Sequence, residues 1–222
     1  MKPKIYEMAH SPFCIPITGA LTCLGVEFER VEVPNADRSE IIRLTGGRYY
    51  QVPVLVRGGD TVFESTADSQ DVAAYVDRTF AGGRLFPEAT RGLQDILIQH
   101  IENDIESVTF KLVDPHYLDT IEDQVQRVMT RRHKERRFGP GCVERWRADA
   151  AELRAQADRL LGRFESLLRH SPFILGQSPV YVDFALYGVL GNLLFAGWNS
   201  LGESQGALRD WMARLAAHRF KP

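Results

Sequence analysis

Two domains of different class are predicted, an α/β unit over residues 1–80 and an all-α unit over residues 91–222. Three observations predict them. The first 80 residues alternate strand and helix patterns in the order β-α-β-α-β-β-α. Residues 81–90, AGGRLFPEAT, are rich in glycine and proline and read as a linker. Beyond them the apolar residues recur only at the three-and-four spacing of helices.

Each element has its own signal. KIYEMA (4–9) reads as a short strand that runs into a loop at His10–Ser11. Ile15–Leu24 reads as a helix closed by Gly25. Its first turn carries Pro16, which a helix interior rejects at a cost of about 3 kcal/mol but a first turn, with its unpaired N–H groups, tolerates. That start is expected to present free backbone donors beside a hydroxyl and a thiol. FERVEV (28–33) alternates apolar and charged residues, as a half-buried strand does. Ser39–Leu44 is a short helix ended by Gly46-Gly47. VPVLV (52–56), RGGD and TVFES (61–65) form a hairpin signal. Asp68–Phe80 follows as a helix with Val72, Ala73, Tyr75 and Val76 facing the core.

After the linker, Leu93–Leu112 and Tyr117–Arg137 read as two helices, the second leading into RRHKERRFGPG. Val143, Trp146, Ala150, Leu153, Ala157, Leu160, Phe164 and Leu167 put one stripe along a long helix. Ser178–Phe195 is apolar on most sides, and Leu208–His218 is a short amphipathic helix.

The bulk composition bounds the function. Of 222 residues, 44% are hydrophobic and 25% charged, with a net charge of −2. That balance gives no general attraction to nucleic acid or to an anionic membrane. The three cysteines, Cys14, Cys23 and Cys142, form no metal-like cluster, and so sparse a set fits a reducing compartment. The N-terminal residues lack an apolar signal core, and no stretch approaches the roughly 20 apolar residues of a membrane span. A cytoplasmic protein is expected.

Four local features occur in a telling order. They are Ser11-Pro12-Phe13-Cys14 after the first strand, Gln51-Val52-Pro53 at the start of the third, Glu64-Ser65 at the end of the fourth, and Gly176 with Asp183 opening the apolar helix. Together with the element order, they resemble the cytosolic glutathione S-transferase superfamily, in its Ser-Pro-Phe type with a divergent helical domain. The resemblance covers nearly the whole chain. It implies a thioredoxin-like N-terminal domain plus an all-α helical domain, glutathione as co-substrate, an electrophilic small molecule as acceptor, no metal and a homodimer.

It also implies roles. Pro53 would follow a cis bond, and Val52 would pair with the backbone of an extended glutathione, with Gln51 and Phe13 alongside. Glu64, Ser65 and Thr66 would hold the γ-glutamyl end at a helix start. Ser11 would donate to the glutathione sulfur and favour its thiolate. Cys14 is the alternative, either as a redox thiol exchanging with glutathione mixed disulfides or as an inert core residue. A third possibility is a non-catalytic binding protein. Locally, Ser11 also reads as a helix cap with Pro12 at the first helical position. The run RRHKERR (131–137) reads as a solvated helix face, or else as a cationic wall or lid over the acceptor. Val180 stands where many transferases place the Ser or Thr of a capping box with Asp183.

Overall fold

The computed structural model describes residues 1–67 and 69–221. Four strands, β1 (Lys4–Glu7), β2 (Glu29–Glu32), β3 (Val54–Arg57) and β4 (Asp60–Val62), form one sheet in the order β2-β1-β3-β4. β1 and β2 are parallel, while β3 runs antiparallel to both β1 and β4. The parallel pair needs a crossover, which α1 (Cys14–Cys23) supplies. Side chains alternate across the sheet. Ile5 and Leu55 enter a core with α1 and α3 (Asp71–Val76), whereas Tyr6 and Val54 pack on the other face with Ile41 of α2 (Ser39–Leu44). This is the expected α/β thioredoxin-like unit.

The helical domain differs from expectation at its first two helices. α4 (Arg91–Gln99) passes through a π-turn at His100–Ile105 into α5 (Glu106–Thr120) without a break. Pro115 therefore lies inside α5 rather than between two helices, and Tyr117 belongs to α5 instead of opening the next helix. The break comes instead at residues 121–123, and α6 (Gln124–Phe138) follows. The long stripe is carried by two helices, α7 (Cys142–Ala148) and α8 (Ala150–Leu168), which meet at Asp149. α9 (Tyr181–Leu193) is buried along nearly its whole length, and α10 (Gly206–Ala217) completes the domain.

α9 is also where the two halves join. One continuous core runs from Ile17 and Leu21 of α1 to Phe184 and Val189 of α9. The close approach depends on Gly188. A Cβ there would lie 2.3 Å from the Pro12 carbonyl oxygen and 2.5 Å from the Pro16 ring. Pro16 thus occupies a donor-free position in the first turn and packs its ring on a glycine of the other domain. Asp183 anchors α9. Its carboxylate accepts N–H bonds from Ile174 (2.9 Å) and Val180 (3.1 Å) and from the Trp211 indole (3.0 Å). Valine has no hydroxyl to return the capping bond, so the Asp183 N–H donates to the Val180 carbonyl at 3.0 Å.

Candidate functional site

A cleft of about 660 Å³, open to solvent, lies where the two domains meet. Pro12 and Phe13 of the β1–α1 loop form one wall, and Gln51, Val52 and Pro53 form a second. Glu64, Thr66, Ser69 and Gln70 close the end at α3, and Glu102, Tyr181 and Ala185 face them from the helical domain.

Val52 lies on the cleft wall. The Val52–Pro53 bond is cis, as the Gln-Val-Pro placement predicts. The β1–β3 ladder ends at the pair Tyr6–Val54, so the Val52 backbone lies beyond it on the cleft.

The start of α1 differs from the expected array of free donors. The Phe13 N–H donates to Ser11 Oγ at 3.3 Å, and the N–H groups of Cys14 and Ile15 both donate to the Ser11 carbonyl at 3.1 Å. Pro12 and Pro16 have no N–H to place. One serine therefore satisfies every backbone donor from residue 12 to residue 16. Ser11 is buried, and its hydroxyl reaches the Cys14 thiol. Pro12 and Phe13 line the cleft at this point. The helix begins at Cys14 with Phe13 as its cap, so Pro12 precedes the first turn instead of opening it.

Cys14 is fully buried, and burial pushes its thiol up to about 12. A thiol in that state is neutral and inert. Cys23 and Cys142 are buried as well.

The γ-glutamyl end was expected at Glu64, Ser65 and Thr66, where a helix was to begin. The expected helix start, Asp68, lies outside the described residues, and α3 begins at Asp71. Glu64 serves this helix. Its carboxylate accepts the Asp71 and Val72 N–H groups at 2.7 and 3.2 Å and the Ser69 hydroxyl at 2.7 Å. Burial raises the Glu64 pKa, and these three bonds oppose the rise. The Ser65 N–H donates to Asp71 Oδ2 at 2.8 Å and to Ser69 Oγ at 3.0 Å, so it is engaged within the turn. Ser69 and Gln70, directly before the helix, line the cleft and were missed. The available signal was a second acidic-serine pair, Asp68-Ser69, closer to the apolar period of Val72, Tyr75 and Val76 than Glu64-Ser65 is. Gln70 also donates to Glu102 across the domain junction at 2.8 Å.

His10, beside Ser11, stacks on Tyr117 of α5 at 4.5 Å and contacts Phe195 and Trp198. Burial, with Lys134 and Arg38 nearby, holds its pKa down at about 4, so the ring is neutral at physiological pH. Among the described residues no cluster of three or more His, Cys, Asp or Glu side chains could hold a metal ion, and no helix is long and apolar enough to cross a membrane.

Comparison with known proteins bears on this cleft. Models of the glutathione S-transferase N-terminal and C-terminal domains match residues 5–84 and 140–216. A probable glutathione S-transferase of Nicotiana tabacum is 29% identical over 85 residues, 38% of this chain and 36% of that protein. The matched stretch thus spans about a third of the tobacco protein's length. The probable glutathione S-transferase GSTU6 of Oryza sativa subsp. japonica is 23% identical over 188 residues, 85% of this chain and 71% of that one. The crystal structure of glutathione transferase GSTFuA3 from Phanerochaete chrysosporium superposes with a TM-score of 0.81 at 19% identity, over 100% of this chain and 99% of that one. At that identity the likeness speaks for the fold. With both domain models matched in order on this architecture, the chain belongs to the glutathione S-transferase superfamily.

Proposed function

We propose that the protein is a glutathione transferase, which activates the glutathione thiol for attack on an electrophilic small molecule. The observation that carries this reading is Val52. Its backbone lies past the end of the β1–β3 ladder, on a cleft walled by both domains. An extended peptide can pair there as an added strand. Phe13 and Gln51 flank the cysteinyl and glycyl parts. The γ-glutamyl end lies toward α3, with Glu64, Ser65 and Thr66 joined by Ser69 and Gln70.

The glutathione sulfur then faces the β1–α1 loop. The Ser11 hydroxyl proton is the one donor at this helix start that the backbone does not consume, and by turning from Cys14 it donates to the sulfur. A charge-assisted bond and the α1 dipole both favour thiolate there. The thiolate attacks the acceptor carbon, a C–S bond forms, and the leaving group departs or the electrophile takes up a proton. The acceptor is held by the helical domain, residues 91–222, against the glutathione-binding domain, residues 1–80, with residues 81–90 as the linker. The same reading makes the protein a cytoplasmic homodimer with no metal. The buried thiol of Cys14 argues against thiol–disulfide exchange as the chemistry.

The test is the pH–rate profile with a simple aryl halide. Ser11→Ala is expected to lower turnover and raise the pKa of bound glutathione, while Cys14→Ala leaves both within about twofold. Loss of turnover in Cys14→Ala alone, with Ser11→Ala unaffected, would transfer the chemistry to disulfide exchange. Calorimetry that detects glutathione binding without conjugation of any electrophile would leave a binding protein.

A further inference from the structure

α6 has two faces of different character. At the helical repeat, Thr130, Lys134 and Phe138 share one face, and Val125, Val128, Met129, Arg132 and Arg136 share the opposite one. The first face is seated on the domain. Thr130 is buried, Lys134 Nζ lies 2.5 Å from Asp114 of α5, and the Phe138 ring packs on Phe110 and Trp146 at 5.1 and 5.4 Å. The second face is exposed. Val125, Val128 and Met129 are 67%, 52% and 57% accessible, and Arg132 and Arg136 are exposed as well. Single exposed apolar side chains are ordinary, but three within one and a half turns form a patch.

The charges along this ridge are ordered. Glu122 and Asp123, both exposed, precede the apolar residues, and Arg132, Arg136 and Arg137 follow them. Asp123 is engaged as the cap of α6, where it accepts the Gln126 N–H at 2.7 Å. Arg132 pairs with Glu135 of its own helix at 2.5 Å. Glu122 and Arg136 have no ion-pair partner among the described residues. The ridge therefore runs from acid through apolar to base.

Such an order is complementary to itself when reversed. Met129 stands seven residues from Glu122 and seven from Arg136. Two copies laid antiparallel about a two-fold axis at Met129 bring Arg136 of each copy to the partner's Glu122, with the apolar residues between. A two-fold contact requires a self-complementary surface of this kind. Other occupants fit less well. An anionic lipid surface would attract the arginines but repel Glu122 and Asp123 at the other end. An acidic peptide is held by a groove or a sheet edge, whereas a helix ridge is convex.

We propose that the exposed face of α6 binds the same face of a second copy of this chain, antiparallel, with apolar side chains at the centre and an Arg136–Glu122 ion pair at each end. One helix ridge is far smaller than the roughly 800 Å² per partner of a standard interface, so the contact is weak and forms at high protein concentration. It is additional to the homodimer of the transferase reading and needs no glutathione.

The test is crosslinking of the full-length protein with a short bismaleimide at about 100 µM, a concentration that populates weak complexes. Cys14, Cys23 and Cys142 are all buried, so an introduced thiol is the site of reaction. Met129→Cys is expected to give a covalent dimer, and Gln156→Cys, exposed on α8, to give none beyond wild type. Adding Arg136→Glu to Met129→Cys should lower the yield about fivefold, the effect of losing two exposed ion pairs. Adding Glu122→Arg as well should restore it, because the reversed charges are again complementary. Equal yields from Met129→Cys and Gln156→Cys would overturn the proposal. So would a yield that Arg136→Glu leaves unchanged, or a loss that Glu122→Arg fails to rescue. Association with phosphatidylserine vesicles that depends on Arg136, without a crosslinked dimer, would assign the face to a membrane instead.

Discussion

Ser69 is the residue at which a small displacement along the chain matters most. Its hydroxyl is 2.7 Å from Glu64 and lies on the cleft directly before α3. Ser65, four residues earlier, has its N–H committed to Asp71 and Ser69. Both serines are candidates for the γ-glutamyl carboxylate, and substitution separates them. Ser69→Ala is expected to weaken glutathione binding about ten- to a hundredfold, because it removes the hydrogen bond to the charged Glu64 and the acceptor of the Ser65 N–H and so loosens this end of the cleft. Ser65→Ala should weaken it less than about threefold. Titration calorimetry measures both, and the reverse order would return the role to Ser65.

Glu106 supplies a second test at this scale. Burial, together with the charges of Asp114 and Glu102, pushes its carboxyl up to about 7, against the pull of Lys134 and Arg137. The native state therefore holds this proton more tightly than the unfolded chain does. The associated stability is fully present below about pH 4.5 and is lost as pH rises through about 7. Glu106→Gln removes the titration. Its thermal midpoint should fall less than that of wild type between pH 5 and pH 8, and parallel curves would show that Glu106 titrates normally.

At the scale of elements, the contact between α1 and α9 is the tightest constraint. Gly188 brings α9 against Pro12 and Pro16, with no space for a methyl group. Gly188→Ala must push apart the helix and the loop that carries Ser11. It is expected to destabilise by about 1–3 kcal/mol or more in a denaturant titration. Gly162, inside α8, has nothing within 4 Å of the place an added Cβ would take. Gly162→Ala should stabilise by about 0.4–1 kcal/mol, because alanine narrows the unfolded ensemble without a clash. Equal effects at the two glycines would mean that α1 and α9 can separate freely. The same contact explains the proline at 16. The first turn tolerates it for want of a donor, and the domain junction uses its ring.

At the scale of the whole molecule, the core does not stop at the linker. Apolar residues of α1 and α3 merge with those of α4, α5 and α9. The two domains therefore present the cleft as one rigid frame, on which α6 is the least anchored part. Part of α4 lies outside this frame. Leu93 and Ile96 of α4 are 50% and 69% exposed, three residues apart on one helix face. A homodimer covering that face is expected. Sedimentation at micromolar concentration should give twice the 25.1 kDa chain mass, and Ile96→Glu should shift it toward the monomer. A wild-type monomer would remove the dimer.

The sequence by itself determined the order and class of the elements, because periods of two and of three to four are local properties of a chain. It also placed the cis bond before Pro53 and made α9 the buried helix. α2 and the hairpin positions were legible for the same reason. Only the tertiary structure decided which donors remain free. In the sequence Ser11 is one donor among several exposed ones, yet its own atoms satisfy the backbone donors around it, and that depends on how the loop folds back. Whether Ser65 or Ser69 meets the cleft turns on α3 beginning at Asp71, where Glu64 caps it from seven residues away. Lys134 looks like its neighbours in a basic run, and only the seating of α6 on α5 turns it toward Asp114. In each case the deciding partner is remote in sequence or set by a helix boundary, and neither leaves a periodic trace.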